Sequence, residues 1–385
     1  MKRLLAALLL LLVFEGCATA ASDANAVLRV ASITPAAQQP AQDDPAVIFY
    51  DDFAAPPEPG VLRYLEYNSA DGSFVWSPDG GLWGGAMRCQ FAKGQVTAGG
   101  LKVLFGRNPL RRGIRSDETF NEIYWRVYVK HEAGWEGNPA KLARATCLAG
   151  EDWSQGMIAH VWGGKGEALC IDPATGIRNG VKMTTHYNDF EHLTWLGSRN
   201  GHTPIFSPAE SGRWVCVESH VKLNHSGRSD GVFELWVDGR LDASRTNLDW
   251  HGTWSEYAIN AVFLENYWND GSVKQQARWF DDFVISTRSI GPILATTPPV
   301  LTRTPGAAGT CWEAEVAADP QGQDVVWRSK PMAPEAMNLT VDSADGDFSG
   351  SRADKTGLAV GQDYWTRIRR LGETEWAPWH APFRQ

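Results

Sequence analysis

Arg126, Tyr128 and Lys130 fall at alternate positions of the stretch IYWRVYVK, residues 123–130. Alternation across a strand sets them, with Tyr124, on one side and Trp125, Val127 and Val129 on the other. Such a face can hold a carboxylate with its cations and a flat sugar ring with its aromatics. Later segments repeat the pattern. Glu218, His220 and Lys222 oppose Val215, Val217, Val221 and Leu223, and Glu234 and Trp236 oppose Phe233, Leu235 and Val237. Glu265 and Tyr267 oppose Val262 and Leu264, and His160 joins the polar set if Ala159 and Val161 point inward. An ordinary solvated face would carry more Ser and Thr and fewer rings. The expectation is a curved sheet whose outer side chains form one trough for an extended glycan. Glu218, Glu234 and Glu265 could also supply the carboxylate pair of a glycoside hydrolase, whose spacing decides retention or inversion.

Those side chains need strands to position them. Between Val47 and Ile290, short alternating runs are punctuated by Asp71-Gly72, Asp79-Gly80, Asn179-Gly180, Asn200-Gly201, Asp230-Gly231, Asp238-Gly239 and Asp270-Gly271. Such pairs accept the positive backbone angles of tight hairpins. No stretch carries a long helical period, so an all-β sandwich of two sheets is expected over residues 46–291. A proline-rich link follows, GPILATTPPVLTRTPG at 291–306. Residues 298–385 have the size of a second, smaller β-sandwich.

The chain opens MKRLLAALLLLLVFEGCATA, a basic stub and an apolar run too short to span a bilayer, which reads as an export signal over residues 1–20. Ala18-Thr19-Ala20 is an A-x-A cleavage site, whereas Gly16-Cys17 resembles the end of a lipobox; a membrane partner is expected only if Cys17 is lipidated. Residues 21–45 read as a flexible tether. The net charge of −9 argues against nucleic acid, which calls for a basic surface. Eighteen tryptophans tilt towards sugar binding, with packing in a β core as the competing use. No C-x-x-C pair suggests zinc; Cys147–Cys170 could form a bridge, or the cysteines could be small buried apolar residues.

Two resemblances add to this. YWRVYVK followed by WEGNPAKL (135–142), and RWVCVESHVKLN (213–224) followed by VFELWVDG (232–239), resemble the β-jelly-roll polysaccharide lyases of the concanavalin A-like superfamily, chiefly alginate and glucuronan lyases. For this chain, read as exported, that resemblance implies an acidic polysaccharide as partner, cleaved by β-elimination. It implies Arg126, Lys130 and Lys141 for charge, His160 or His220 as base, and Tyr128, Tyr187 or Tyr267 as acid. The Ser-x-Arg and Tyr-x-Tyr strands of the alginate lyases are absent; MIAHVW (157–162) and ALCI (168–171) stand in their place. The Glu-x-Asp-x-x-Glu motif of jelly-roll glucanases is absent too. A non-catalytic carbohydrate-binding or adhesion protein would use the same trough without acid or base. In related jelly rolls the first and last strands adjoin and hold a structural Ca²⁺, so FYDDF (49–53) and WFDDF (279–283) imply Asp51, Asp52, Asp281 and Asp282 as ligands. The C-terminal segment resembles a fibronectin type III domain in Pro298-Pro299, Trp312, Trp327, Leu339, YWTRIR (364–369) and WAPWH (376–380). That likeness implies Arg367 and Arg369 stacked between Trp376 and Trp379.

Overall fold

The computed structural model describes residues 28–30, 43–57, 63–69, 71–82, 84–293, 298–303, 310–359 and 362–385. The export-signal and lipobox readings lie outside these residues. Strands and turns make up the described chain, with one three-residue 3-10 helix, Gly350–Arg352, and no α-helix.

Two large antiparallel sheets pack face to face. One, here the site sheet, runs in the order Thr194–Trp195, Leu169–Thr175, Gln155–Gly163, Lys141–Leu148, Ala261–Tyr267, Thr97–Leu104, Glu66–Asn68. The other, the back sheet, runs Arg240–Leu248, Gly231–Val237, Trp214–Lys222, Glu122–His131, Gln276–Ser286, Ala86–Phe91, Phe74–Ser77, with Val47–Asp51 also paired to Gln276–Ser286. Strands distant in sequence lie side by side, as in a jelly roll. Alternate side chains of both sheets meet in one core: Leu142, Ala145, Ala159, Val161, Val262 and Leu264 from the site sheet, Trp125, Val127, Val129, Val217 and Leu235 from the back sheet. Burying one face of each strand fixes the register, because a slip of one residue would turn every apolar side chain to water. The hairpin reading holds at Asp238-Gly239, both at positive φ (50° and 75°) between the paired strands Gly231–Val237 and Arg240–Leu248. A two-residue connection of that hand matches the strand twist.

The expected Cys147–Cys170 bridge does not form. Cys147 points into the core between the sheets, while Cys170 shares the outer face with its cross-strand partner Trp162. Two strands of one sheet cannot be joined through opposite faces, and the described cysteines are free.

The C-terminal residues form a second sandwich with its own core. A five-stranded sheet supplies Trp312, Val316, Trp327, Tyr364 and Ile368, and a three-stranded one supplies Leu301 and Leu339. The third strand of the smaller sheet is Leu28–Val30, from the segment read as a tether. Leu28 is fully buried in this core, and its carbonyl accepts a hydrogen bond from Thr366 Oγ1 at 3.2 Å. A three-residue strand between Val27 and Ala31 carries too short a pattern to be read in advance. Arg367 lies 4.9 and 4.3 Å from the rings of Trp376 and Trp379, and Arg369 lies 4.3 Å from Trp376.

Leu28→Ala should destabilise the C-terminal sandwich by about 2–5 kcal/mol, the cost of emptying a leucine site in a packed core. Differential scanning calorimetry should show its melting at lower temperature; unchanged melting would remove Leu28–Val30 from that core.

Candidate functional site

Cross-strand partners in an antiparallel sheet point to the same side, so the register alone lines up a row on the outer face of the site sheet. Asp172 faces His160, His160 faces Arg144, Arg144 faces Phe263, Phe263 faces Lys102, and Lys102 faces Glu66. Six positions at ~4.8 Å spacing span roughly 24 Å, the scale of an extended oligosaccharide. A second row holds Cys170, Trp162, Lys141 and Tyr267.

Arg144 is fully buried and engaged at all three of its nitrogens. It donates from Nε to Glu265 at 2.8 Å, from Nη2 to the second Glu265 oxygen, from Nη1 to Asn188 Oδ1 at 2.8 Å and from Nη2 to Tyr187 Oη at 2.8 Å. Burial opposes its charge, but Glu265 more than offsets this and keeps the guanidinium protonated. Burial also pushes the Glu265 carboxyl upward; the Arg144 charge and hydrogen bonds outweigh it and leave Glu265 ionised, below its usual range. Burial pushes the Tyr187 hydroxyl up to about 12, so Tyr187 keeps its proton. Lys102 pairs with Glu66 at 2.8 Å and lies over the rings of Trp153, Tyr187 and Phe263.

Lys141 differs. Among the described residues its ammonium has no carboxylate within ion-pair distance, and it sits 4.7 Å from the ring centre of Tyr267. Burial lowers its pKa. Beside it, His160 Nδ1 lies 3.1 Å from the carbonyl oxygen of Asp172. A carbonyl only accepts, so Nδ1 carries the proton and Nε2 presents its lone pair. Burial, helped by the charge of Arg144, holds the ring neutral, well below the usual histidine range. Nε2 is buried without a hydrogen-bond partner, and the ring is covered by Trp162 (4.1 Å) and Trp195 (5.6 Å, 28° from parallel). Trp195 is itself 42% exposed and stacks on exposed Phe190. At the end of the row, burial raises the Asp172 carboxyl to about 6.

The single trough expected from the strand pattern is therefore two faces of a sandwich. His160, Lys141, Glu265 and Tyr267 lie together on the site sheet; Arg126, Tyr128, Lys130, Glu218, His220, Lys222, Glu234 and Trp236 lie on the outer face of the back sheet. Much of that second set is sealed. Arg126 and Asp282 form a fully buried ion pair at 2.7 Å, and Arg126 Nη1 donates to the Gly291 carbonyl. Glu218 accepts from the backbone N–H groups of Ile290 and Gly291, and Tyr128 Oη accepts from that of Ile293. The chain leaving the last strand thus lies across these residues. Lys130 is held between Trp214 (4.7 Å) and Trp279 (5.0 Å). His220 bridges Glu122 (2.8 Å) and Glu234 (2.9 Å) beneath a parallel Tyr124 ring, with Lys222 3.6 Å from Glu122 and Trp236 at its edge. Glu265 cannot pair with Glu218 or Glu234, which lie on the opposite sheet, and those two are themselves taken up, Glu218 by backbone N–H groups and Glu234 by His220.

The four aspartates do not suit calcium as arranged. Asp51 accepts from the Phe53 N–H and from Tyr64 Oη, Asp52 from the Ala54 N–H, Asp281 from the N–H groups of Leu82 and Asp282, and Asp282 from Arg126. Asp282 Oδ2 is the one buried carboxylate oxygen of the four without a hydrogen bond, where Ca²⁺ takes six to eight oxygens. Among the described residues no three His, Cys, Asp or Glu side chains converge as metal ligands. Burial raises the Asp281 carboxyl to about 8.

Sequence reading missed Arg144, Asp172, Lys102 and Trp195. A bulge between Lys141 and Ala143 puts Leu142 and Ala143 both in the core, which breaks the alternation that would have marked Arg144 as outward.

No protein-family profile matches the chain, and no curated protein matches it in sequence. Among solved structures, the chain is similar to an endo-β-1,4-glucuronan lyase from the fungus Trichoderma reesei (14% identity, 63% of this chain and 96% of that one, TM-score 0.42). It is also similar to alginate lyases from Chlorella virus (12%, 58% and 100%, 0.41) and Aplysia kurodai (14%, 63% and 99%, 0.41).

Arg126→Ala should cost about 3–5 kcal/mol by leaving the Asp282 charge buried and unpaired, read as a lower urea midpoint; a variant as stable as the parent would mean Arg126 faces a ligand instead. For Asp172, the folded value of about 6 lies above the ordinary 3.8. Its stabilising contribution is full below 3.8 and declines as pH rises through about 6, where the carboxyl also acquires a charge that repels a polyanion. The urea midpoint should fall across that interval, and Asp172→Asn should flatten the profile; an identical profile in the variant would exclude this role.

Proposed function

We propose that the outer face of the site sheet binds a uronate-containing polysaccharide and cleaves it by β-elimination. Lys141 pairs with the uronate carboxylate and stabilises the charge that builds there as the C5 proton leaves. His160 Nε2 takes that proton, the C5 electrons form the C4=C5 double bond, and the C4–O bond breaks. Tyr267 or Tyr187 protonates the departing oxygen. Trp195 has to swing from above the imidazole for the sugar to reach it. The observation that carries this reading is His160 itself: a neutral ring with its Nε2 lone pair unclaimed, one strand from an unpaired ammonium.

A non-catalytic binding protein is the second reading, favoured by one observation. Arg144, the most central cation of the row, has all three of its nitrogens engaged by Glu265, Asn188 and Tyr187 and its charge paired with Glu265 rather than held for a substrate carboxylate. Either reading suits a protein acting outside the cytoplasm, in keeping with the export-like first twenty residues. We read the C-terminal sandwich as a fibronectin type III-like spacer or adhesion module, supported by the interleaved Arg367, Arg369, Trp376 and Trp379.

Incubation with alginate or glucuronan should raise ultraviolet absorbance as unsaturated ends form. Lys141→Ala and His160→Ala should each lower that rate by roughly 10²–10⁴-fold. Binding that depends on Lys141 without any rise in absorbance would select the non-catalytic reading. New reducing ends without absorbance would select hydrolysis.

A further inference from the structure

The same outer face continues past Trp162 into a recess of about 360 Å³ whose walls include Asn138, Trp162, Trp268, Asn269, Asp270 and Val273. It opens beside the proposed reacting groups. Ala140, at its rim, is the chain neighbour of Lys141, and Trp162 is the cross-strand partner of Lys141 and packs on His160. A sugar chain held at Lys141 therefore has its next unit at or near this recess.

The chemistry changes there. The row across the sheet carries Lys102, Lys141 and Arg144, yet no lysine or arginine lines the recess, and its one charged residue is Asp270, exposed on the Asp270-Gly271 turn. Lys274, the chain neighbour of Val273, is committed to Glu136 at 2.8 Å and to the Gly134 carbonyl. Exposed Asn269 offers the recess an amide that donates and accepts, as a sugar hydroxyl does, and half-buried Trp162 offers it an aromatic wall. A second carboxylate would find an acidic side chain and no cation.

Resting on the reading of Lys141 as the uronate anchor, we propose that this recess is a second sugar subsite that takes an uncharged, hydroxyl-bearing pyranose beside the acidic unit. The polymer this face accepts then carries neutral sugars next to its uronates, in contrast to a chain in which every unit is charged. Trp162, shared by both subsites, separates the acid-binding part of the face from the neutral one.

Isothermal titration with two probes tests this: a hyaluronan hexasaccharide, which alternates glucuronate with an N-acetylated neutral sugar, and a hexamannuronate, in which every unit is acidic. The full chain should bind the alternating probe more tightly by roughly tenfold. Asp270→Lys, a change on an exposed turn whose fold is checked by circular dichroism, should erase or invert that ratio by offering a cation to a second carboxylate. Tighter binding of hexamannuronate by the parent, or a ratio unmoved by Asp270→Lys, overturns the neutral subsite. Lys141→Ala should weaken both probes alike. If it weakens neither, or if the parent binds neither probe, the anchor itself fails, an outcome separate from a wrong ratio.

Discussion

The fully buried guanidinium of Arg144 holds the candidate site in shape. N–H groups out of water need acceptors, and four of the five here find Glu265 on the neighbouring strand and Tyr187 and Asn188 on the long segment that crosses the sheet. One side chain thereby fastens that segment, which also carries Phe190 and Trp195, over the row of polar residues. Its charge keeps Glu265 ionised and helps keep His160 neutral. Without it, Glu265 would be a buried, unpaired carboxylate and the segment would lose its anchor.

Because Arg144 is spent on structure, the residues left for a ligand are those it leaves uncommitted: Lys141, with its ammonium over Tyr267, and the covered Nε2 of His160. The back sheet shows the opposite outcome. Its outward residues look equally suited to a glycan, but the chain at 290–293 lies over Arg126, Glu218 and Tyr128 and takes up their hydrogen bonds. Charge on an outer face becomes a binding surface only where no other part of the chain claims it.

Much of the fold was legible because a period of two is a strong signal. The inward side chains of IYWRVYVK, of 215–223 and of 233–237 are in the core as read, and Ala159 and Val161 turn His160 outward. Alternation tells which face a side chain takes but not which of two sheets its strand joins, so residues of opposite sheets were merged into one trough. It also says nothing of coverage by a distant segment, which decided Arg126. Arg144 was hidden by a bulge, and Leu28–Val30 by its brevity. The aspartates of FYDDF and WFDDF do adjoin, as expected, but hydrogen bonds and Arg126 occupy most of the oxygens that a metal would need.

Oxidative footprinting of tryptophans with and without a bound uronate oligosaccharide tests the placement of the site most directly. Trp162 should become protected from hydroxyl radicals and Trp195, which swings to admit the sugar, should change its reactivity, while Trp214 and Trp236 on the back sheet keep theirs. Protection of Trp214 and Trp236, with Trp162 and Trp195 unchanged, would put the ligand on the other side of the molecule and contradict the account.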